Sequence, residues 1–152
     1  MFERQVFAIK SLHLSLSHMK SGYIDKIAHL VSHTLSSLVL WCVRIQDPYP
    51  ALEVFFKFCS RICDLKLVQF EFRADGNASI SQPVKDGFNR LTELCLVRCL
   101  GDEVGFVKAV PLGNLRAFDS LSIEVTLAIA IKCPALIRIV SRPVFSNFRD
   151  IA

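Results

Sequence analysis

A spaced phrase, Leu-x-x-Leu-x-Leu or a close variant, returns down this chain, and its period constrains the fold more than any other feature. It reads Ile9-x-x-Leu12-x-Leu14, Leu35-x-x-Leu38-x-Leu40, Ile62-x-x-Leu65-x-Leu67 and Leu91-x-x-Leu94-x-Leu96. Two looser copies follow, Leu115-x-x-Phe118-x-Ser120 and Leu136-x-x-Ile139-x-Ser141. The starts at 9, 35, 62, 91, 115 and 136 lie 26, 27, 29, 24 and 21 residues apart. Self-similarity at roughly 20–29 residues marks an array whose unit is one strand plus one helix. Such a unit cannot bury its apolar face alone, so neighbouring units must stack.

Each unit is expected to place a short strand around the second and third positions of the phrase. Strand side chains alternate between faces. Leu12 and Leu14, Leu38 and Leu40, Leu65 and Leu67, and Leu94 and Leu96 therefore point to the core. Parallel strands need a long crossover, usually a helix, and the intervening segments have helical patterning. Residues 23–31 place apolar side chains at 23, 24, 27, 28, 30 and 31, a helical stripe. Residues 50–61 open with Pro50, suited to a first helical turn, and continue through Ala51, Leu52, Val54, Phe55, Phe58 and Cys59. Residues 83–89, with Val84, Gly87 and Phe88, predict a shorter helix. Asp102 suits a cap for a helix through Val104, Phe106, Val107 and Val110, closed by Pro111 and Gly113. Ser122 suits a cap for a helix reaching Lys132, and its Val125, Leu127, Ala128 and Ile131 predict a mostly buried element. Residues 73–79 form the clearest irregular stretch: Asp75-Gly76 is a turn signal. Asn77-Ala78-Ser79 matches a glycosylation acceptor, which matters only in a secreted protein.

Composition fits a buried stack. Hydrophobic residues reach 52% and charged residues 21%, which argues against disorder. The net charge of +4 comes without a basic block, the densest cluster being Arg138, Arg142 and Arg149. That balance does not imply nucleic acid. Met1-Phe2-Glu3-Arg4-Gln5 lacks the layout of a secretion signal. The longest apolar run, 123–131, contains Glu124 and falls well short of the ~20 residues that span a bilayer. The expectation is a cytoplasmic or nuclear protein without membrane contact. One domain over 1–152 is expected, with about six units. Neither end carries the polar outer face of a terminal unit, so the array is expected to be longer, or its ends covered by a partner.

Six cysteines, Cys42, Cys59, Cys63, Cys95, Cys99 and Cys133, leave disulfides, zinc or buried thiols as readings. No secretion signal supports disulfides. The Cys-x-x-x-Cys pairs 59/63 and 95/99 are spaced one residue wider than the usual Cys-x-x-Cys, and no His pair completes a zinc site. The period favours buried thiols: Cys59 and Cys133 share a slot, three residues before the phrase, with Val6, Ser32, Phe88 and Leu112. His29 and His33 stand four apart on an expected helix with no third ligand in register. No phosphate-binding loop, nucleophile elbow or zinc-protease motif occurs. The chain is therefore expected to be neither an enzyme nor a cofactor carrier.

The phrases resemble leucine-rich repeats of the cysteine-containing, F-box-associated type. Cys133-Pro134-Ala135-Leu136 matches that type's Cys-Pro-x-Leu join, and Cys59-Ser60-Arg61-Ile62 matches it loosely. Leu91 to Cys99 is the best single unit, with Cys99 where such repeats carry Asn or Cys. The resemblance covers residues 9–145. It implies an α/β right-handed horseshoe solenoid with parallel strands on the concave face and helices on the convex face. It also implies substrate recognition in a cullin-type (SCF) ubiquitin ligase and ubiquitin-dependent degradation, with any adaptor contact lying outside this chain. The sequence departs from the type at the Asn/Cys position, which holds Ser17, Val43, Phe70, Cys99, Ile123 and Val144. The usual polar ladder is thus mostly missing. No F-box motif is recognisable.

The candidate working surface is the strand face turned away from the leucines. Its columns read Ser15, Trp41, Val68, Val97, Leu121, Arg142; His13, Val39, Lys66, Cys95, Asp119, Val140; and Ser11, Ser37, Asp64, Glu93, Ala117, Arg138. From these, Trp41, Lys66, Val68, Glu93, Val97, Asp119, Leu121 and Arg142 are the expected partner-binding residues. Contiguous apolar surface marks partner sites, Trp and Arg are typical anchors, and the acidic members favour a basic partner. A descending loop or flanking domain over the first column would instead make Trp41 and Val68 ordinary core. The functional alternative to substrate recognition is a structural or regulatory scaffold.

Overall fold

The computed structural model describes residues 8–17, 19–45, 47–73 and 80–141. Along the chain run β1 (Ser11–Ser15), α1 (Ser21–Leu30), β2 (Ser37–Trp41), α2 (Tyr49–Phe58), β3 (Asp64–Val68), β4 (Glu71–Phe72) and α3 (Gln82–Arg90). There follow β5 (Glu93–Val97), β6 (Leu100–Gly101), α4 (Glu103–Ala109), β7 (Ala117–Ser120), α5 (Ile123–Lys132) and β8 (Arg138–Ser141). The architecture is α/β. Six strands form one parallel sheet in the order β1-β2-β3-β5-β7-β8, and β4 pairs with β6 beside it. The sheet is not curled. The horseshoe arc is thus corrected to an open, uncurled sheet, because curvature accumulates from small rotations between units and six strands accumulate little of it.

The register follows the phrase. Leu38 pairs with Leu65, Leu65 with Leu94, Leu94 with Phe118 and Phe118 with Ile139. One backbone device repeats at every step and holds this register. The Lys10 carbonyl accepts from the amides of Ser36 and Ser37, that of Ser36 from Cys63 and Asp64, and that of Cys63 from Thr92 and Glu93. The Thr92 and Arg116 carbonyls do the same for residues 116–117 and 137–138. Side chains join in the first three steps: Ser36 Oγ, Cys63 Sγ and Thr92 Oγ1 donate to the same carbonyls. A polar ladder therefore exists, but it precedes each strand instead of following it.

After β3, Phe70 stands at one position of the missing polar ladder, and a run of rings leads from it through β4 into the helices. Phe70 packs on Phe72 at 4.8 Å between ring centroids, Phe72 on Phe106 at 4.6 Å, Phe106 on Phe88 at 5.1 Å and Phe88 on Phe56 at 5.5 Å. Such pairs add about 0.5–1.5 kcal/mol beyond the burial of their area. Two glycines make room for this spine. Gly87 lies against the Phe56 ring, where a Cβ would clash. Gly101, at φ +78°, lies against the Phe72 carbonyl. The short strands β4 and β6 at this spine were not expected from the sequence.

The leucine face packs with the helices into one core containing Leu38, Leu65, Leu94, Phe55, Phe88, Phe106 and Ile129. Asp102 Oδ1 accepts from the Gly105 amide and Ser122 Oγ from the Val125 amide, so both expected caps form. Cys59, Phe88, Leu112 and Cys133 fill the expected helix-end slot. Ser32 does not, because the neighbouring Val31 turns in instead. Val6, 74–79 with the Asn77-Ala78-Ser79 acceptor, and 142–152 lie outside the described residues. Two expectations fail at the ends of the sheet. Leu12, on the edge strand β1, is only half-buried. Helix α5 is not mostly buried: Val125, Thr126 and Ile129 face in, but Leu127 and Ile131 face out. Both failures share a cause, since an edge element has a neighbour on one side only. A lysine fastens α5 to the unit before it. Lys132 Nζ donates to the carbonyls of Val107, Lys108 and Val110 at the end of α4, a C-terminal cap supplied by the next helix.

Candidate functional site

Alternation turns every second strand residue away from the core, and the strand pairing aligns these residues into columns. Ser15, Trp41, Val68 and Val97 sit side by side, as do His13, Val39, Lys66, Cys95, Asp119 and Val140. Ser11, Ser37, Asp64, Glu93, Ala117 and Arg138 make the third column. Leu121 stands one residue beyond the end of β7, half-buried. Arg142 lies outside the described residues.

Exposure divides the first column. Trp41 is 43% exposed, whereas Val68, between Trp41 and Val97, is buried. Trp41 is thus the accessible apolar anchor, with Val97 and Leu121 half-buried beyond it. This geometry corrects the picture of a uniformly exposed apolar strip: Val68, enclosed between Trp41 and Val97 on the strands either side, is shielded, while the larger Trp41 ring still reaches solvent. In the second column Lys66 and Asp119 are half-buried, and Val39 is buried.

Carboxylates gather in the third column. Ser37 Oγ donates to Asp64 Oδ2 at 3.3 Å, and Glu93 meets Arg138 at 3.8 Å. Burial, and then the Glu93 charge, push the Asp64 carboxyl above the usual carboxylate range, against the Ser37 hydrogen bond and the Arg138 charge. A cleft of about 210 Å³ opens here, lined by Asp64, Glu93, Cys95, Asp119, Arg138 and Val140. Its chemistry suits a basic, extended segment laid across the strands. A second cleft, of about 160 Å³, holds Cys99, Glu103 and Leu121 at the ends of β5 and β7. Burial pushes the Glu103 carboxyl up to about 7. Sequence reading missed this residue, because an acidic residue in a first helical turn looks like ordinary dipole compensation.

None of the six cysteines is in a disulfide. Burial pushes Cys42 and Cys99 up to about 12 and Cys59 up to about 11. The thiolate is the reactive form, so these three are held unreactive at neutral pH. Among the described residues no group of three His, Cys, Asp or Glu is placed to hold a metal ion. His29 Nδ1 is 2.8 Å from the Asp25 carbonyl, and its ring packs on Phe58. No described helix is long and apolar enough to cross a membrane.

No family profile matches the chain, and neither the curated proteins nor the solved structures give a significant match.

Proposed function

We propose that this chain is a protein-interaction module of stacked leucine-rich repeats that binds a protein partner on the open face of its sheet. One observation carries the reading: Trp41, the exposed anchor, shares that face with the acidic cleft of Asp64, Glu93 and Asp119. An aromatic anchor beside charged groups is the usual make-up of a binding hot spot, and the carboxylates select a basic segment. The recurring phrase and the repeated two-amide contact support the stacked-repeat part. The narrower role, substrate recognition for an F-box-like SCF ubiquitin ligase in cytoplasm or nucleus, rests on the Cys-Pro-x-Leu join and the Leu91–Cys99 unit.

A photo-crosslinking residue at position 41 tests the surface, with one at exposed position 57 on α2 as control. The expected result is adducts with protein from position 41 and not from 57, together with co-recovery of ligase adaptor and cullin subunits. Trp41→Ala is expected to weaken partner binding by about 2 kcal/mol in calorimetry while leaving the unfolding midpoint within about 1 °C. Equal crosslinking from both positions removes the open-face site. Adducts without adaptor or cullin leave the binding module and remove the ligase role, favouring the scaffold.

A further inference from the structure

The two rims of the stack carry different charge. One rim gathers the strand starts and the helix ends, because each crossover helix returns the chain to where the next parallel strand begins. The two-amide contacts line up Lys10, Ser36, Cys63, Thr92, Arg116 and Ile137 along it. Exposed on this rim are Lys10 and Arg116 just before β1 and β7, Lys57 and Lys108 in the last turns of α2 and α4, and Arg61 between α2 and β3. No described carboxylate pairs with any of these five. The carboxylates at strand starts, Asp64 and Glu93, belong to the open face, where Ser37 and Arg138 engage them. The other rim, of strand ends and helix starts, is balanced: exposed Lys20, Arg44 and Arg98 stand against exposed Asp47, Glu71 and Glu124.

Basic residues at helix ends are ordinary dipole compensation, and Arg90 and Lys132 serve it by donating to carbonyls at the ends of α2 and α4. Lys10, Arg61 and Arg116 lie outside every helix, so compensation does not account for them. Nor does it account for the apolar side chains on the same rim. Ile9 is 37% exposed, Leu30 59%, Ile131 87% and Ile137 76%. Ile9 and Leu30 stand at the β1 end of the rim, and Ile131 and Ile137 at the β8 end, with most of the cations between them. Five strand spacings of about 4.8 Å separate the two ends by about 24 Å. Arg61 and Arg116 lead into strands two places apart, about 10 Å, which is close to a Debye length, so the cations act as one band. Apolar side chains this far apart suit a fluid that each enters separately, and the band between them suits anionic headgroups. A nucleic-acid backbone would take the cations and leave the four apolar side chains in water. An anionic lipid surface takes both.

We propose that this rim docks the chain on an anionic lipid bilayer, lying on its surface and not crossing it, with Lys10, Arg61 and Arg116 among the headgroups and Leu30, Ile131 and Ile137 dipping below them. This departs from the sequence-based expectation of no membrane contact, which rested on the want of a spanning segment and does not bear on surface docking. It is independent of the partner reading, since Trp41 closes β2 at the other rim and stays open to a partner. The test is co-sedimentation of the full chain with vesicles of pure phosphatidylcholine and of an equal mixture with phosphatidylserine. The expected result is binding to the mixture and not to pure phosphatidylcholine, weakening as salt is raised. Arg61→Glu with Arg116→Glu is expected to weaken that binding by more than about tenfold. Ile131→Ser with Ile137→Ser, both at exposed positions, should weaken it by about tenfold at low and high salt alike. Lys20→Glu with Lys26→Glu, the same change of charge toward the start of α1, should leave it within about twofold. No binding to the mixture, or equal binding to both kinds of vesicle, overturns the proposal. So does weakening by the Lys20 and Lys26 pair that equals or exceeds that of the Arg61 and Arg116 pair, which would mean net charge and not the rim attracts lipid. Binding to a DNA duplex with none to the vesicles would assign the cations to nucleic acid and overturn it as well.

Discussion

The middle of the sheet and its β8 end are built from the same phrase, yet they differ sharply in burial. In the middle, Leu94 lies between Leu65 and Phe118, with the aromatic spine among the helices behind it, and is sealed from water. At the end, Ile139 has Phe118 on one side and no described strand on the other. The residue type barely changes, so the difference belongs to the neighbours. In a stack, burial is a property of the interface between units and only weakly of the unit itself. The small polar donors divide in the same way. Ser36, Cys63 and Thr92 hydrogen-bond to the unit before, whereas the equivalent position at the end is the exposed Ile137.

The largest expected effect lies in the spine. Phe106→Ala removes a ring in contact with Phe72, Phe88 and Tyr49, and should cost about 4 kcal/mol in urea denaturation, as large-to-small core changes do. A sharper comparison pairs Leu94→Ala with Ile139→Ala. The first should cost about 3 kcal/mol and the second about 1 kcal/mol, because little burial is lost at the end. Equal costs would mean the end is as well covered as the middle. The smallest effect concerns the tightly packed α4. Glu103 has its carboxyl at about 7 in the folded chain against an ordinary 4.5, so the folded state holds the proton more tightly. Stability should therefore fall as pH rises from 4.5 to about 7. The expected loss is about 1 kcal/mol, well below the full linkage value because the carboxyl is only half-buried. Glu103→Gln should flatten that slope in denaturation curves taken across this range. An unchanged slope would place the pH dependence elsewhere.

The candidate site was legible in part. Trp41, Val68, Val97, Lys66, Glu93 and Asp119 could be aligned from spacing alone, since a constant phrase fixes a constant strand register. Accessibility could not: Trp41 and Val68 are neighbours in one column, and only their relative size and flanks decide which meets a partner. The column of Ser37, Asp64, Glu93 and Arg138 was legible too, but the Ser37–Asp64 hydrogen bond and the cleft beside it depend on how the strands sit together. Glu103 had no sequence signal, because its shift comes from burial, which only the folded chain sets.

By itself the sequence determined the strands, the helices between them, the capping by Asp102 and Ser122, and the parallel pairing. These follow from periodicity and from local hydrogen bonding, which act over a few residues. Only the tertiary structure decided the aromatic spine joining Phe56, Phe88, Phe106, Phe72 and Phe70, the small sheet of β4 and β6, the grip of Lys132 on α4, and the open flank of α5. Each of these depends on what lies across a unit boundary, and a boundary between units some two dozen residues apart leaves no local mark in the chain.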